Sequence, residues 1–160
     1  MIKVNPLFKI ANVVLVLACA DFIYRGLLIA ETDDLSTCII LLAMFLVVIL
    51  NVSNNFVLIK KYETARTLSP RGEFFFWLIA WPFFLQMIFV SFGFIALGYE
   101  LVAHLSRLPI FWEIRQFAIY LFITASSWYL VFAEPRLYFK MKKNYTNKVS
   151  AIVNDFANNH

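Results

Sequence analysis

Asp21 and Arg25 are the first residues of this sequence whose chemistry differs from that of their surroundings. They lie in the segment ADFIYRG, between the apolar runs FKIANVVLVLAC and LLIA. A spacing of four places both side chains on one face of a helix, where they can form an ion pair. Because an ionised group in hydrocarbon costs about 2.5–3.5 kcal/mol, we expect both to face protein or water. The pair is either a self-contained aid to membrane insertion or a point that a partner or substrate contacts.

Three asparagines form a second polar group in an otherwise apolar stretch. The segment NVSNN contains Asn51, Asn54 and Asn55, and Asn51 shares a helical face with Asn55. Amide side chains between membrane helices form hydrogen bonds worth about 0.6–2 kcal/mol each. Three amides in five residues are more than helix packing usually requires. The cluster is therefore interpreted either as a set of interhelical bonds or as a polar site.

The third apolar stretch contains a single amide, Gln86. It shares a predicted face with Pro82 and Gly93, and we expect this face to point to the interior, with a bend at the proline. Upstream, Ser69 and Pro70 predict an N-cap and a first helical residue for this stretch.

The last apolar stretch contains the longest polar stripe. Its members recur at spacings of 4, 4, 3 and 7 residues: Gln116, Tyr120, Thr124, Ser127 and Glu134. Such spacings place them along one edge of a helix. Glu134 either pairs with Arg136 or a nearby Lys at the headgroups, or lies at the depth of the asparagines. The second alternative predicts two polar tiers, with the asparagines and Glu134 in the inner one and Asp21, Tyr120 and Thr124 in the outer one.

The composition indicates which elements position these residues. Of the 160 residues, 62% are hydrophobic and 15% charged, against about 45–50% and about 25% in soluble domains. Four stretches, at 8–30, 36–59, 74–99 and 116–139, reach the length of about 20 apolar residues that a spanning helix needs. Their continuous apolarity predicts an all-α integral membrane bundle of four transmembrane helices. We expect the first stretch to be a retained helix rather than a cleaved signal peptide.

The predicted organisation is a four-helix transmembrane domain at 1–140 and a short cytoplasmic tail at 141–160. In the tail, four apolar residues recur at helical spacing: Val149, Ile152, Val153 and Phe156. This pattern predicts a short amphipathic helix on the membrane or against the bundle, and the alternative is a solvated tail.

Basic residues predict the orientation. Most of the 14 Lys and Arg residues fall near the N-terminus, in the 60–73 loop and in the tail, whereas the connection ETDDLS has none. Lys and Arg collect on the cytoplasmic side of membranes, so both termini are expected there. The same preference explains the net charge of +4 without nucleic acid, which we do not expect as a partner. The predicted location is the cytoplasmic (inner) membrane of a bacterium or an organellar inner membrane.

The residue types for most membrane catalysis are sparse. His104 and His160 lie outside the predicted spans, and Cys19 and Cys38 lie at different predicted depths without a Cys-x-x-Cys motif. We expect no disulfide, no metal site, no cofactor and no enzymatic activity.

The expected function is contact with other membrane proteins, as an accessory or assembly subunit or as an immunity-type protein that blocks a pore-former. The partners are the lipid bilayer and another membrane protein, or further copies of this chain. The alternative is a small oligomeric channel or a proton-coupled transporter that uses Asp21, Arg25 and Glu134. The candidate contact residues are Asp21, Arg25, Asn51, Asn54, Asn55, Gln86, Tyr120, Thr124, Ser127 and Glu134.

Overall fold

Four long α-helices make up the computed structural model, which describes residues 4–29, 35–103 and 111–158. The helices are α1 (Pro6–Ile29), α2 (Leu35–Glu63), α3 (Pro70–Ala103) and α4 (Phe111–Asn158), and no strand occurs within these ranges. All four are long and apolar enough to cross a membrane. The predictions of an all-α fold and of four helices able to span a membrane are confirmed, so the chain is a multi-pass membrane protein. His104 and His160, which were predicted to lie outside the spans, are not among the described residues.

The starts of α1 and α3 use the same local chemistry. Each begins with a proline at the first helical position, which has no N–H to leave unpaired. The Asn5 side chain caps α1 by accepting a hydrogen bond from the Leu7 N–H (3.0 Å). The Ser69 hydroxyl caps α3 by accepting one from the Gly72 N–H (3.2 Å), as the sequence predicts.

The end of α2 turns the chain back within a few residues. Ala65 has a φ of 49°, a left-handed conformation that commonly terminates helices. The Arg66 N–H bonds the Lys61 carbonyl (2.9 Å), and the Thr64 hydroxyl donates to the Lys60 carbonyl (2.8 Å). Because this turn is short, α2 and α3 are antiparallel neighbours.

Helices α2 and α4 hold the bundle together. Each contacts both α1 and α3, and they also contact each other. The backbones of α1 and α3 do not approach each other closely within the described ranges, so these helices lie on opposite sides of the α2–α4 pair. We call the end of the bundle that contains residues 4–15, 48–76 and 127–141 the Asn12 end. The end that contains residues 19–29, 35–44, 93–103 and 111–123 is the Asp21 end.

Helix α3 turns a different face to the core from the one predicted. Phe76, Phe83 and Met87 are buried, whereas Pro82 is exposed. The predicted face of Pro82, Gln86 and Gly93 is thus only partly correct, because only the latter two are half-buried. One residue corresponds to about 100° around a helix, so burial of the bulky Phe83 ring turns Pro82 outward. At the Asn12 end, Tyr138 of α4 stacks on Phe76, with ring centroids 5.3 Å apart.

Helix α4 does not end at the predicted membrane boundary. Its 48 residues correspond to about 72 Å of helix, against about 40–45 Å for a bilayer with its headgroups. The tail is therefore helical, but it continues α4 through Pro135 instead of forming a separate segment. Val149, Ile152 and Val153 are exposed, so this part of α4 does not pack against the bundle.

Substitution of Leu130 tests the packing at the Asn12 end. Leu130 is fully buried, whereas Leu121 on the same helix is about half exposed. Leu130→Ala leaves a cavity and is expected to lower the free energy of unfolding by about 2 kcal/mol or more. Leu121→Ala, the matched control, is expected to change it by less than about 0.5 kcal/mol. Helicity during titration of detergent-solubilised protein with SDS measures both, and equal losses would contradict this packing.

Candidate functional site

The most buried ionisable side chain of the described residues is Glu134 on α4, with 2% of its surface exposed. Its Oε1 accepts hydrogen bonds from Asn51 Nδ2 and Asn55 Nδ2 of α2, both at 2.6 Å. The ion pairs formed among the described residues do not include Glu134. The expected alternative of a bond to Arg136 or a Lys is therefore wrong, and Arg136 is exposed.

A residue of the first helix completes this arrangement. Asn55 Nδ2 also donates to Asn12 Oδ1 (2.9 Å), and Asn12 Nδ2 donates to the Phe8 carbonyl one turn earlier (2.7 Å). Asn12, Asn51, Asn55 and Glu134 are all at least 98% buried. We call these four residues the amide–carboxyl cluster. It joins α1, α2 and α4 near the Asn12 end.

The cluster supplies two amide donors to one oxygen of its carboxyl, Glu134 Oε1. Burial of a carboxyl without donors is costly, and hydrogen bonds to a charged acceptor are shorter and stronger than neutral ones. To offer Nδ2 to the carboxyl, Asn55 turns its Oδ1 away, and this oxygen has no partner within the described chain. The cluster therefore gives the carboxyl its hydrogen-bond donors and leaves one amide oxygen without a hydrogen bond.

The third asparagine is separate from this cluster. Asn54 is half-buried, and its Nδ2 makes only a long bond (3.4 Å) to the Phe76 carbonyl of α3. The predicted inner tier thus contains Asn51, Asn55 and Glu134 but not Asn54. Gln86 lies farther along α3 and donates to the Met44 carbonyl of α2 (3.2 Å).

The polar stripe of α4 faces the interior, but within the described ranges it forms no hydrogen bond with Asp21. Ser127 is fully buried, and Tyr120 packs edge-on against Phe22, with ring centroids 4.9 Å apart. The hydroxyl oxygens of Thr124 and Ser127 have no hydrogen-bond partner among the described residues. The Phe22–Tyr120 contact lies beside Asp21, at the depth predicted for the outer tier, although no hydrogen bond joins Asp21 to Tyr120 or Thr124 among the described residues.

Asp21 instead belongs to an ion cluster. Its Oδ2 lies 2.9 Å from Arg25 Nε, which confirms the predicted pair, and its Oδ1 lies 3.3 Å from Arg115 Nη2 of α4. The side chains are 34% (Asp21), 16% (Arg25) and 42% (Arg115) exposed. These three residues, the Asp21 ion cluster, connect α1 to α4 at the surface of the bundle.

Sequence reasoning missed three contributors to these contacts. Asn12 is a lone amide in an apolar run, and only its helical depth relative to Asn55 signals a role. Arg115 lies just before the predicted stretch at 116–139, whereas the structure places it within α4. Trp128 Nε1 donates to the Ser91 hydroxyl (2.8 Å), a link between α3 and α4 without a sequence signal.

A cavity of about 270 Å³ lies between the helices, from the middle of the bundle toward the Asp21 end, and its lining includes the exposed Phe89. All four helices line it, and its polar groups include Gln86 and Tyr120. The Oε1 atom of Gln86 is buried without a hydrogen-bond partner in the described chain. Cys19 also lines this cavity, and both Cys19 and Cys38 are free thiols. Within the described residues, no group of three His, Cys, Asp or Glu side chains is arranged to hold a metal ion.

Comparison of the chain with protein-family models, curated proteins and solved structures finds no match.

Substitution of Asn55 tests whether the amide–carboxyl cluster stabilises the bundle. Asn55→Leu removes a donor to Glu134 and to Asn12, and leaves buried polar atoms with fewer partners. We expect the free energy of unfolding to fall by about 1–3 kcal/mol. Asn54→Leu, the neighbouring control, removes only one long bond and should change it by less than about 0.5 kcal/mol. If the Asn54 variant were the less stable in an SDS titration, the assigned cluster would be wrong.

Proposed function

We propose that this chain is a non-catalytic membrane protein that acts through contacts within the bilayer with another membrane protein. It would serve as an accessory or assembly subunit or as an immunity-type protein. The observation that carries the proposal is the partial exposure of the Asp21 ion cluster. The amide–carboxyl cluster is enclosed, but Asp21 and Arg115 remain at the surface, each about one-third exposed or more.

The surroundings of the Asp21 ion cluster support a partner that is itself a membrane helix. Leu17 and Tyr24 of α1 and Ile114 of α4 are large, apolar and exposed beside it. Charged groups on a lipid-facing surface are costly, and contact with a partner's polar group lowers that cost. The partner chemistry that fits is an apolar helix with one polar or charged side chain at matching depth.

We further propose that both termini are cytoplasmic and that the membrane is a bacterial cytoplasmic or an organellar inner membrane. Support comes from basic residues in the 60–73 loop and in the projecting part of α4, all on the Asn12 side of the bundle: Lys60, Lys61, Arg66, Arg71, Lys140, Lys142, Lys143 and Lys148. Lys and Arg favour the cytoplasmic face.

The second candidate function is an oligomeric channel or proton-coupled transporter that uses Asp21, Arg25 and Glu134. The observation in its favour is the cavity of about 270 Å³ toward the Asp21 end, whose lining includes Gln86, a residue with a buried oxygen that has no partner in the described chain. Polar groups in membrane interiors often mark ion pathways. Proton flux in liposomes that contain the purified chain alone, lost in Glu134→Gln, would favour this function over the first.

Photocrosslinking tests the partner contact. A photoreactive phenylalanine analogue at Tyr24 should give one discrete adduct with an unlike membrane protein in native membranes. The same analogue at Phe56, exposed near the Asn12 end, is the control and should not give this adduct. Asp21→Asn should lower the Tyr24 adduct yield several-fold, because it removes the charge that the partner contacts. An adduct with a second copy of the chain, or equal adducts at both positions, would contradict the proposal.

Cysteine labelling tests the orientation. In a variant without native cysteines, Val149→Cys lies on the projecting part of α4, and Leu35→Cys lies at the opposite end of the bundle; both positions are exposed. A membrane-impermeant maleimide should label position 149 only in inverted vesicles and position 35 only in right-side-out vesicles. The reverse pattern would place the termini outside.

A further inference from the structure

A second cavity, of about 190 Å³, lies between α3 and α4. Its walls are mostly aromatic, and Glu134 is its only ionisable lining residue among those that the structure describes. The lining residues are Phe76, Trp77, Ala80, Trp81, Phe83, Phe84, Val131, Glu134 and Pro135. Trp81 is 62% exposed, so this part of the cavity wall reaches the protein surface.

Glu134 lines this cavity and retains acceptor capacity on one of its two oxygens. Its hydrogen bonds to Asn51 and Asn55 both use Oε1. The described residues provide no hydrogen bond to Oε2, although a carboxylate has about four acceptor positions on its two oxygens. The cavity therefore combines aromatic side chains with a carboxyl group that has an unused oxygen.

We propose that this cavity binds a small organic cation, an ammonium group attached to an apolar body of about one ring. Aromatic faces attract cations, most strongly when water is excluded, and a carboxylate offers a charge-assisted hydrogen bond to an ammonium N–H. The apolar walls fit the body of such a molecule. This site is separate from the Asp21 ion cluster and does not depend on the partner contact proposed above.

The volume of the cavity and its single carboxyl group limit which cations it can bind. An apolar cavity of about 150 Å³ holds one benzene molecule, so the cavity between α3 and α4 accommodates one ring with its ammonium. A metal ion such as Ca²⁺ takes about 6–8 oxygen ligands, which one carboxyl group does not provide. The ammonium belongs to a free amine or to a phosphatidylethanolamine headgroup. The lining residues include no cation for the headgroup phosphate, which favours the free amine.

The test uses 2-phenylethylammonium with the purified full-length chain in phosphatidylcholine nanodiscs. Isothermal titration should show saturable binding at one site per chain. The uncharged 2-phenylethanol, which has the same ring and chain length, should bind at least about tenfold more weakly because it lacks the charged partner for Glu134. Equal affinity for the two molecules would overturn the proposal.

Two substitutions locate the binding. Ala80→Phe fills the cavity without removing any donor or acceptor of the amide–carboxyl cluster, and it should abolish binding. Ala96→Phe adds the same side chain at an exposed position of α3 and should leave binding unchanged. Glu134→Gln should weaken binding at least about tenfold. Unchanged binding in a folded Ala80→Phe variant would overturn the proposal even if Glu134→Gln failed to fold.

Nanodiscs that contain phosphatidylethanolamine distinguish the two sources of the ammonium. If the lipid headgroup occupies the cavity, these nanodiscs should reduce 2-phenylethylammonium binding, and Ala80→Phe should remove the difference between the two lipids. If the natural ligand is a free amine, binding should be the same in both lipids. Either result keeps the ammonium assignment, whereas absence of binding in both lipids contradicts it.

Discussion

The need to give Glu134 hydrogen-bond donors in a solvent that has none shapes this bundle. Hydrocarbon offers no substitute for water, so the carboxyl has to find its donors within the protein. Asn51 and Asn55 supply them from α2, and Asn55 also contacts Asn12 of α1. Three helices are thereby aligned at one depth. The aligned residues lie at the Asn12 end, which also contains most of the large, fully buried side chains.

The two ends of the bundle differ in how far their polar groups are buried. At the Asn12 end, the amide–carboxyl cluster is enclosed and bonded within the chain. At the Asp21 end, the ion cluster is partly exposed and the interior contains a cavity beside Gln86. Enclosed hydrogen bonds fix one arrangement of helices, whereas exposed charges remain open to another molecule. This difference is consistent with a stabilising role for the first cluster and supports the proposal that the second contacts a partner. The aromatic cavity between α3 and α4 is the exception, because Glu134 takes part in both the enclosed cluster and that cavity.

Much of this architecture was predictable, because lipid imposes few and strict rules. Length and apolarity were enough for four spanning helices, and helical spacing placed Asn51 and Asn55 on one face and paired Asp21 with Arg25. The contact of Glu134 with the asparagines followed from matching depths, as one of two alternatives. Asn12 and Arg115 were missed because their roles depend on how α1 packs against α2 and α4, respectively. Pro82 and Asn54 were misassigned because the sequence does not show which large side chain turns a helix toward the core. The continuation of α4 beyond residue 139 was missed because an apolar length marks only the part of a helix that lies in lipid.

A double-mutant cycle between Asn55 and Glu134 tests most directly whether their bond holds the helices in register. The cycle compares the unfolding free energies of the unmodified chain, Asn55→Leu, Glu134→Leu and the double variant. If the amide and the carboxyl are bonded as described, the sum of the losses in the two single variants should exceed the loss in the double variant by at least about 1 kcal/mol. Strictly additive losses would contradict the account.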